Sequence, residues 1–426
     1  MDQAGSNYSL LVGIDWGSVA HQVCGLLPDG RKSFEVEVKH DGAGLERLVA
    51  RLLEAVQGRA EQVAVAIEVP RGPVVEALLE RGVHVFSINP KQLDRCRDRY
   101  SVAGAKDDRL DALVLADTLR TDAQTRLLRR VRVDDPMVIR LREVSRLDEE
   151  LGVELGRLAS RLRDQLWRYF PQLLALCPGA DEPWLWELLR TVPTPGKARR
   201  LTHKRAKELL GRHRIRRFSA TQLVDGLREP ALSLAPGAAD AAVEHVSLLL
   251  PRLKLAHQQR RETAQRLEQI LAELSSPSED DKSGRPRDAA ILLSCSGIGP
   301  RVAARLIGEA WQSIDERDHL GMRTRAGIAP VRRQTGKNKQ GRVGMRYGCN
   351  RRLRDGMFDW SRSATTCDPR AKSVYAAARS RGKSHGHAMR IVGDHLLRTL
   401  FAMLRDRTMF DRAKRTVDTE NQRTAS

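Results

Sequence analysis

Four acidic residues lie at positions where the chain could hold divalent metal ions. Asp15 ends the apolar segment LLVGID and Glu68 ends VAVAIE, while Asp108 and Asp111 stand three residues apart in KDDRLDALVLA. An apolar strand that ends in a carboxylate is typical of a buried sheet with a site at its strand ends. Clustered acids repel one another unless a cation neutralises them, and Mg²⁺ prefers carboxylate oxygens.

Phosphoryl transfer is the chemistry that such a cluster would serve. Two Mg²⁺ ions about 3.5 to 4 Å apart activate a nucleophile and stabilise the leaving oxygen of an in-line displacement. We therefore expect the four acids to bind two Mg²⁺, with Mn²⁺ as a substitute, in the core of a metal-dependent nuclease or recombinase. The alternative is an ordinary α/β domain in which the acids have no catalytic role.

The overall charge indicates a polyanionic partner. The chain has 74 Lys and Arg against 54 Asp and Glu, a net charge of +20, and nucleic acid is the expected ligand. No apolar run reaches the length of about 20 residues that spans a bilayer, and the start MDQAGSNYS is too polar for a signal peptide. The six cysteines show no C-x-x-C spacing, which argues against a zinc site and a disulfide framework. We expect a cytoplasmic protein without membrane contact.

The elements that must position the acids follow an α/β order between residues 7 and 125. Three strands separated by turn residues come first, with Asp29 and Gly30 in a hairpin turn. A helix at about 42 to 58, the strand VAVAIEV, the helix VVEALLERG, the strand VHVFSI and the helix DRLDALVLADTL follow. This is the strand plan of an RNase H-like sheet. The predicted fold class is α/β plus α.

The hydrophobic pattern of residues 136–275 is that of long helices. Apolar residues recur at steps of three and four at Leu147, Leu151, Leu155, Leu158 and Leu162, and again at Leu267, Ile270, Leu271 and Leu274. The pattern predicts two arms of a helical hairpin or coiled coil, used for dimerisation or for packing within one chain.

A basic insertion lies between the two arms, in the less constrained segment 170–235. Nearly all charges of KARRLTHKRAKELLGRHRIRRF are positive, which indicates phosphate-backbone contact, although a charge run is usually a solvated face. The candidate residues are Lys204, Arg205, Lys207, Arg212, Arg214, Arg216 and Arg217.

Residues 276–288 have the composition of a linker, and a mostly helical domain is predicted from 289 to 408. The segment ILLSCSGIGPRVAARLIGEA has the pattern of a helix-hairpin-helix element. Its Gly297 and Gly299 would let backbone N–H groups approach a phosphate, or serve packing alone. We expect the basic tail 409–426 to be disordered.

The most basic part of the chain lies between Arg323 and Arg362, with 12 Lys or Arg and only two acids. Its repeated glycines predict a loop close to a nucleic-acid backbone rather than a helix face. The candidate contacts here are Arg332, Arg333, Lys337, Lys339, Arg342, Arg351 and Arg352.

These motifs taken together resemble a known family. GIDWG, AIEVP, SINP, KDDRLDALVLA, SGIGP, AGIAPVRRQTGK and NRRLR resemble, in the same order, the DEDD transposases of the insertion-sequence one-ten (IS one-ten) family, the bridge-RNA-guided recombinases. The resemblance covers most of the chain and is specific as a set. It implies a RuvC-like N-terminal domain, a coiled-coil connection and a C-terminal transposase domain in a bacterial-type, nucleoid-associated protein. The implied partners are donor and target double-stranded DNA, a non-coding bridge RNA, and further copies of the chain in a homodimer that pairs into a homotetramer.

The resemblance also implies roles for individual residues. Asp15, Glu68, Asp108 and Asp111 match the family's metal-binding tetrad. The family's nucleophile is a serine that becomes covalently attached to DNA, and this position aligns here with Thr335. The threonine methyl group crowds an in-line approach and stiffens χ1. Either Thr335 is the nucleophile, or water or a 3′-hydroxyl attacks at the metals, or the copy is impaired.

Two other functions compete with the predicted DNA recombinase. A RuvC-like Holliday-junction nuclease needs the four acids but has no use for the C-terminal basic loop. A non-catalytic nucleic-acid-binding protein needs only the positive charge, and the acids would then be capping residues.

Overall fold

The chain forms two compact units in the computed structural model, which describes residues 8–100, 107–122, 128–277, 286–335 and 338–411, without the side chains of 91 and 332–343. One unit runs to Asp135 and also contains Pro330–Cys349. The other contains Pro136–Ala329 and continues from Asn350.

A six-stranded mixed sheet forms the centre of the N-terminal unit. Its strands are β1 (Leu10–Asp15), β2 (Ala20–Leu26), β3 (Lys32–Lys39), β4 (Val63–Ile67), β5 (His84–Ile88) and β6 (Leu128–Arg130). The order across the sheet is β3-β2-β1-β4-β5-β6. The first three strands form an antiparallel meander, β1, β4 and β5 are parallel, and β6 returns antiparallel. The expectation of an α/β unit is confirmed.

Four helices cover the two faces of this sheet. They are α1 (Gly42–Ala55), α2 (Pro73–Glu80), α3 (Pro90–Arg97) and α4 (Asp108–Asp122). Alternate residues of a strand face opposite sides. Accordingly, Val12 and Ile14 share a core with α1 and α2, whereas Leu11 shares the other core with α3 and α4. The sheet is therefore buried on both faces, which is why its central strands are apolar throughout.

Gly13 permits α4 to lie directly against β1. A Cβ atom at Gly13 would stand 1.9 Å from the carbonyl oxygen of Ala112 and 2.6 Å from the amide nitrogen of Ala116. Real Cβ atoms do not approach other atoms so closely, so the helix backbone would have to move. The absence of a side chain at this position sets the distance between the helix and the strand.

Two long helices are the frame of the second unit. α5 (Pro136–Tyr169) and α11 (Ala238–Ser275) pack along each other. Leu155, Leu158 and Leu162 of α5 are buried in one core with Leu249 and Leu253 of α11. The repeated leucines are thus largely used for packing within one chain, although Leu147 remains 47% exposed.

Shorter helices complete this unit. They are α6 (Gln172–Leu176), α7 (Pro183–Thr191), α8 (Pro195–Ala198), α9 (His203–Arg212), α10 (Ala220–Arg228), α12 (Asp288–Ser294), α13 (Pro300–Asp315), α14 (His319–Arg325), α15 (Arg351–Cys367), α16 (Pro369–Ser380) and α17 (His385–Asp406). The segment 170–235 contains the short helices α6 to α10, and its Trp184 and Trp186 are buried in the core shared by α5 and α11.

The domain boundaries differ from the predicted ones. The sheet gains β6 beyond residue 125, so the first unit is longer than 7–125. The helical region 136–275 and the C-terminal helices share one core, since Leu141, Leu271 and Leu292 belong to the same cluster. Parts of the predicted linker and most of the tail, 278–285 and 412–426, lie outside the described residues.

Within the described part of the chain, no helix combines the length and apolar character needed to cross a membrane.

We expect Gly13→Ala to destabilise the N-terminal unit by about 1 to 3 kcal/mol, the usual cost of overpacking a dense core. Gly42→Ala is the matched control, because its Cβ would meet nothing within 4 Å. The measurement is urea unfolding combined with hydrogen exchange of the peptide containing β1. Equal protection of β1 in the two variants would show that the close approach of α4 is not a constraint.

Candidate functional site

Asp15 and Glu68 stand next to each other at the same edge of the sheet. β1 and β4 are parallel, and Ile14 is paired with Ile67. Asp15 follows Ile14 as the last residue of β1, and Glu68 directly follows Ile67 at the end of β4. Neighbouring strands lie about 4.8 Å apart, and both acids are partly exposed. The parallel register therefore places Asp15 and Glu68 at the ends of adjacent strands, at the same edge of the sheet.

Helix α4 supplies the other two acids. Asp108 is its first residue and is exposed, whereas Asp111, one turn later, is only 2% exposed. Asp111 immediately precedes Ala112, whose carbonyl lies against Gly13. The helix therefore contacts β1 at Gly13, two residues before Asp15. This contact fixes the position of the first turn of α4, which carries Asp108 and Asp111.

Asp111 is already paired with a cation from this chain. Arg97 Nε donates a hydrogen bond to Asp111 Oδ1 at 2.6 Å, and Arg97 Nη2 donates to Oδ2 at 2.8 Å. The third nitrogen, Nη1, donates to Asp94 Oδ1 at 3.0 Å. The hydrogen bond to Asp111 raises the pKa of Arg97. Sequence reasoning missed Arg97, which lies in a helix of mixed charge with no distinctive motif.

A buried histidine fixes the turn that follows Asp15. Gly17 N–H donates to His21 Nδ1 at 3.3 Å, which leaves Nε2–H to donate to His40 Nδ1 at 2.9 Å. His21 is fully buried, and burial, followed by the nearby His40, lowers its pKa. The neutral ring therefore anchors the backbone immediately after the first acid. The alternating pattern of β2 was the signal that His21 points inward.

The four acids are of the residue type that binds Mg²⁺, but no three of their oxygens lie within 4.8 Å of one another. All four are carboxylates, the ligands of hard cations. Both oxygens of Asp111 accept hydrogen bonds from Arg97. Among the described residues, three potential ligand atoms come within 4.8 Å of one another only at Cys177, Asp181 and Glu182. Binding of one ion by three or more of the four acids therefore requires their side chains to come closer together.

The group at Cys177, Asp181 and Glu182 is better explained as a structural centre. Glu182 accepts hydrogen bonds from Arg217, Trp184 and Cys177. Burial, followed by the charge of Glu182, raises the pKa of Cys177 to about 11, so the thiol is not a ready metal ligand. Arg217, a candidate phosphate contact, forms an ion pair with Glu182.

The basic helix α9 has the properties expected of a phosphate-binding face. Lys204, Arg205 and Lys207 are exposed, while the opposite face buries Leu209 and Leu210. Thr202 caps the helix by accepting a hydrogen bond from the Arg205 amide. A fourth candidate, Arg212, is exposed but pairs with Glu187 at 2.6 Å, so its charge is partly used within the chain.

The two glycines of the predicted helix-hairpin-helix element have different surroundings. Gly297 has a φ of +83°, and a Cβ there would stand 2.7 Å from the amide nitrogen of Ala364 in α15. Gly297 is therefore required for packing, which was the alternative to a phosphate contact. Gly299 precedes α13 as its N-cap and has open space at the Cβ position.

The segment that carries Thr335 is a β-hairpin rather than the predicted loop. β7 (Val331–Thr335) pairs with β8 (Asn338–Gly344), and Thr335 lies opposite Asn338. The hairpin belongs to the same compact unit as the four acids. The side chains of Arg332, Arg333, Thr335, Lys339 and Arg342 lie outside the described part of the structure, as does Lys337 entirely.

The NRRLR segment begins a helix whose second arginine points into the protein. Arg352 Nε donates to Glu309 Oε1 at 3.0 Å, and Arg352 Nη1 lies 2.5 Å from Glu149 Oε2. Asn350 donates to Glu309 Oε2 at 2.8 Å. A nucleic-acid contact by Arg352 would require it to leave these partners, whereas Arg351 is exposed.

Glu309 is the anion that organises these contacts. It is 8% exposed and lies beside the kink of α13 at Ala310. Burial alone would raise its pKa, but the hydrogen bond from Asn350 and the charges of Arg146 and Arg352 produce a net lowering. The available sequence signal was an acid among the apolar residues LIGEAW in the middle of α13.

Comparison with known proteins identifies the family. Residues 12–171 match the DEDD transposase model of the IS110 group, and residues 289–376 match the model described as transposase of the IS116/IS110/IS902 family. The chain belongs to the IS110 family of transposases. This confirms the resemblance drawn from the motifs.

Individual relatives agree with this assignment. A putative transposase, y4uE, from Sinorhizobium fredii is 52% identical over 49% of this chain and 58% of its own length. The mini-circle putative transposase for IS117 from Streptomyces coelicolor is 29% identical over 95% of both chains. An uncharacterized insertion element IS110 protein from the same species is 27% identical over 94% of this chain and 95% of its own.

We expect Arg352→Ala to lower stability by about 1 to 3 kcal/mol, because it leaves the buried Glu309 short of a hydrogen-bond donor. The adjacent Arg351→Ala should change stability by less than about 0.5 kcal/mol, and weaken nucleic-acid binding if Arg351 meets a phosphate. Thermal unfolding and filter binding at two salt concentrations measure the two effects. The opposite ranking of stabilities would contradict the internal role of Arg352.

Proposed function

We propose that this member of the IS110 transposase family cuts and rejoins DNA at a Mg²⁺-dependent site formed by Asp15, Glu68, Asp108 and Asp111. The observation that carries the proposal is the parallel register that sets Asp15 beside Glu68 at the strand ends. The first turn of α4, fixed against Gly13, adds the other two acids. The sheet order supports an RNase H-like, RuvC-like reading of this unit.

The residues have distinct proposed roles. Asp15 and Glu68 would bind metal from the strand ends, and Asp108 and Asp111 would bind it from the first turn of α4. Bound Mg²⁺ would polarise the scissile phosphate and offset the charge that develops on it. The Thr335 hydroxyl attacks phosphorus, so that an Oγ–P bond forms and the P–O3′ bond breaks. The leaving 3′-oxygen takes up the proton that the threonine hydroxyl releases, and reversal of this step on the partner strand joins donor to target.

The hairpin that carries Thr335 belongs to the same compact unit as the acids of its own chain, although residues 136–329 separate the two parts of that unit in sequence. The family resemblance implies acids and hydroxyl from different protomers, guidance by a bridge RNA, and a tetramer of paired dimers. We retain these as part of the proposal, with Arg332, Arg333 and Lys337 as stabilisers of phosphate charge.

The two competing functions explain less of the structure. Capping does not account for Asp15 and Glu68, because Asp15 ends a strand and Glu68 directly follows one. A nuclease of the RuvC type would need only the N-terminal sheet and its acids. It would not account for the match of residues 289–376 to a transposase model.

We expect Asp15→Asn and Glu68→Gln each to reduce Mg²⁺-dependent strand cleavage and joining by about 10²-fold or more, because each removes a charged metal ligand. Nucleic-acid affinity should change by less than about threefold, since the basic surface is intact. Glu46→Gln, an exposed change in α1 of the same unit, is the control. Wild-type strand exchange by either ligand variant would refute the site.

We expect Thr335→Ser to retain covalent protein–DNA product and Thr335→Val to lose it, because only serine keeps a hydroxyl. The reaction is trapped on nicked DNA, the protein is digested, and the modified peptide is located by mass spectrometry. Full covalent yield from Thr335→Val, or a modified peptide elsewhere, would move the nucleophile to another group.

A further inference from the structure

The pair formed by Arg97 and Asp111 stands out among the ion pairs of the N-terminal unit. Asp111 is 2% exposed, and both of its oxygens accept hydrogen bonds from one guanidinium. A buried carboxylate without a partner is strongly destabilising. The protein therefore supplies its own cation to an acid that we have assigned to Mg²⁺.

The two cations would make the same demand on Asp111. Guanidinium takes both carboxylate oxygens along their lone pairs. A metal ion bound to Asp111 would place a second cation beside the guanidinium, and the two cations repel each other. Arg97 and Mg²⁺ therefore compete for the single negative charge of Asp111, and metal binding weakens its pairing with Arg97.

Arg97 is placed so that it can leave without unfolding its helix. α3 is anchored by Leu93 and Cys96, which are buried in the core shared with α4. The Arg97 side chain is 19% exposed, at the end of α3. Its other partner, Asp94, is 64% exposed on the same helix. A change of rotamer can carry the guanidinium toward solvent and toward Asp94 while the backbone stays in place.

We propose that Arg97 is an internal counter-ion that holds Asp111 in the metal-free protein and is displaced when metal binds. The inference rests on the proposed function, in which Asp111 is a metal ligand. Arg97 would then oppose metal binding at this site, because it already neutralises Asp111. Asp111 would remain neutralised until metal binds.

The first experiment measures Mn²⁺ binding to the full-length protein by electron paramagnetic resonance of the free ion. We expect Arg97→Gln to bind Mn²⁺ about tenfold more tightly than the wild type, the scale on which neighbouring partners change metal affinity. Arg97→Lys, which keeps the charge but not the paired hydrogen bonds, should be intermediate. Arg95→Gln, an exposed arginine of the same helix, should equal the wild type.

A rise or a fall in Mn²⁺ affinity in Arg97→Gln shows whether Arg97 competes with the metal for Asp111 or helps Asp111 to bind it. A residue that only orients Asp111 for the metal would give weaker Mn²⁺ binding when it is removed. Weaker or unchanged affinity in Arg97→Gln overturns the inference. Adding Asp111→Asn to Arg97→Gln should remove the gain, and a gain that persists would place the tighter site elsewhere and also overturn it.

Thermal unfolding provides a readout that does not depend on activity. In EDTA, Arg97→Gln should melt about 5 °C or more below the wild type, because Asp111 is then buried without a partner. Saturating Mn²⁺ should restore most of the loss, and Arg95→Gln should show neither effect. If Mn²⁺ does not restore the melting temperature that Arg97→Gln loses in EDTA, the proposal that metal replaces Arg97 at Asp111 is overturned.

Failure of the inference is distinguishable from failure of the proposed function. If Mg²⁺-dependent cleavage requires Asp15 but Mn²⁺ affinity does not respond to Arg97→Gln, only the counter-ion role is lost. If cleavage does not require Asp15, the proposed function is lost, whatever the Mn²⁺ measurements show.

Discussion

The close approach of α4 to β1 is the constraint on which the proposed active site depends. Two acids come from strand ends and two from a helix, so their separation is set by how near the helix lies to the sheet. Gly13 allows the close approach, because a Cβ atom there would collide with the backbone of α4. The apolar residues on both faces of the sheet then hold the helices in place. The catalytic geometry is thus inherited from the packing of backbones rather than from contacts between the acids.

Much of this arrangement could be predicted from local sequence. The apolar strands, the Asp29 and Gly30 turn and the strand-end acids carry their own signals, because strand burial and turn geometry depend on short segments. The family resemblance added the order of the motifs. What could not be predicted is long-range pairing. The return of Pro330–Cys349 to the N-terminal unit and the pairing of Glu309 with Arg352 join residues that no periodicity relates.

The positive charge of the chain has two uses that composition does not separate. Some basic side chains face outward, as Lys204, Arg205 and Lys207 do on α9. Others, such as Arg217 and Arg352, neutralise acids inside the helical unit. A net charge of +20 therefore describes the balance of the chain, not the number of cations available to a nucleic acid. Arginine serves both uses because its planar group can satisfy a buried carboxylate through several hydrogen bonds at once.

The discontinuity of the N-terminal unit has a consequence for its biogenesis. The sheet is complete once residue 130 has been synthesised, but the hairpin that belongs with it is made only after the whole of Pro136–Ala329. Domains generally fold as units during synthesis, so the acids are in place well before the hairpin can join them. A ribosome that stops early, or a gene copy truncated in its last third, would release a folded sheet with four carboxylates and no Thr335. Such a fragment would contain the acids of the proposed metal site but not the proposed nucleophile.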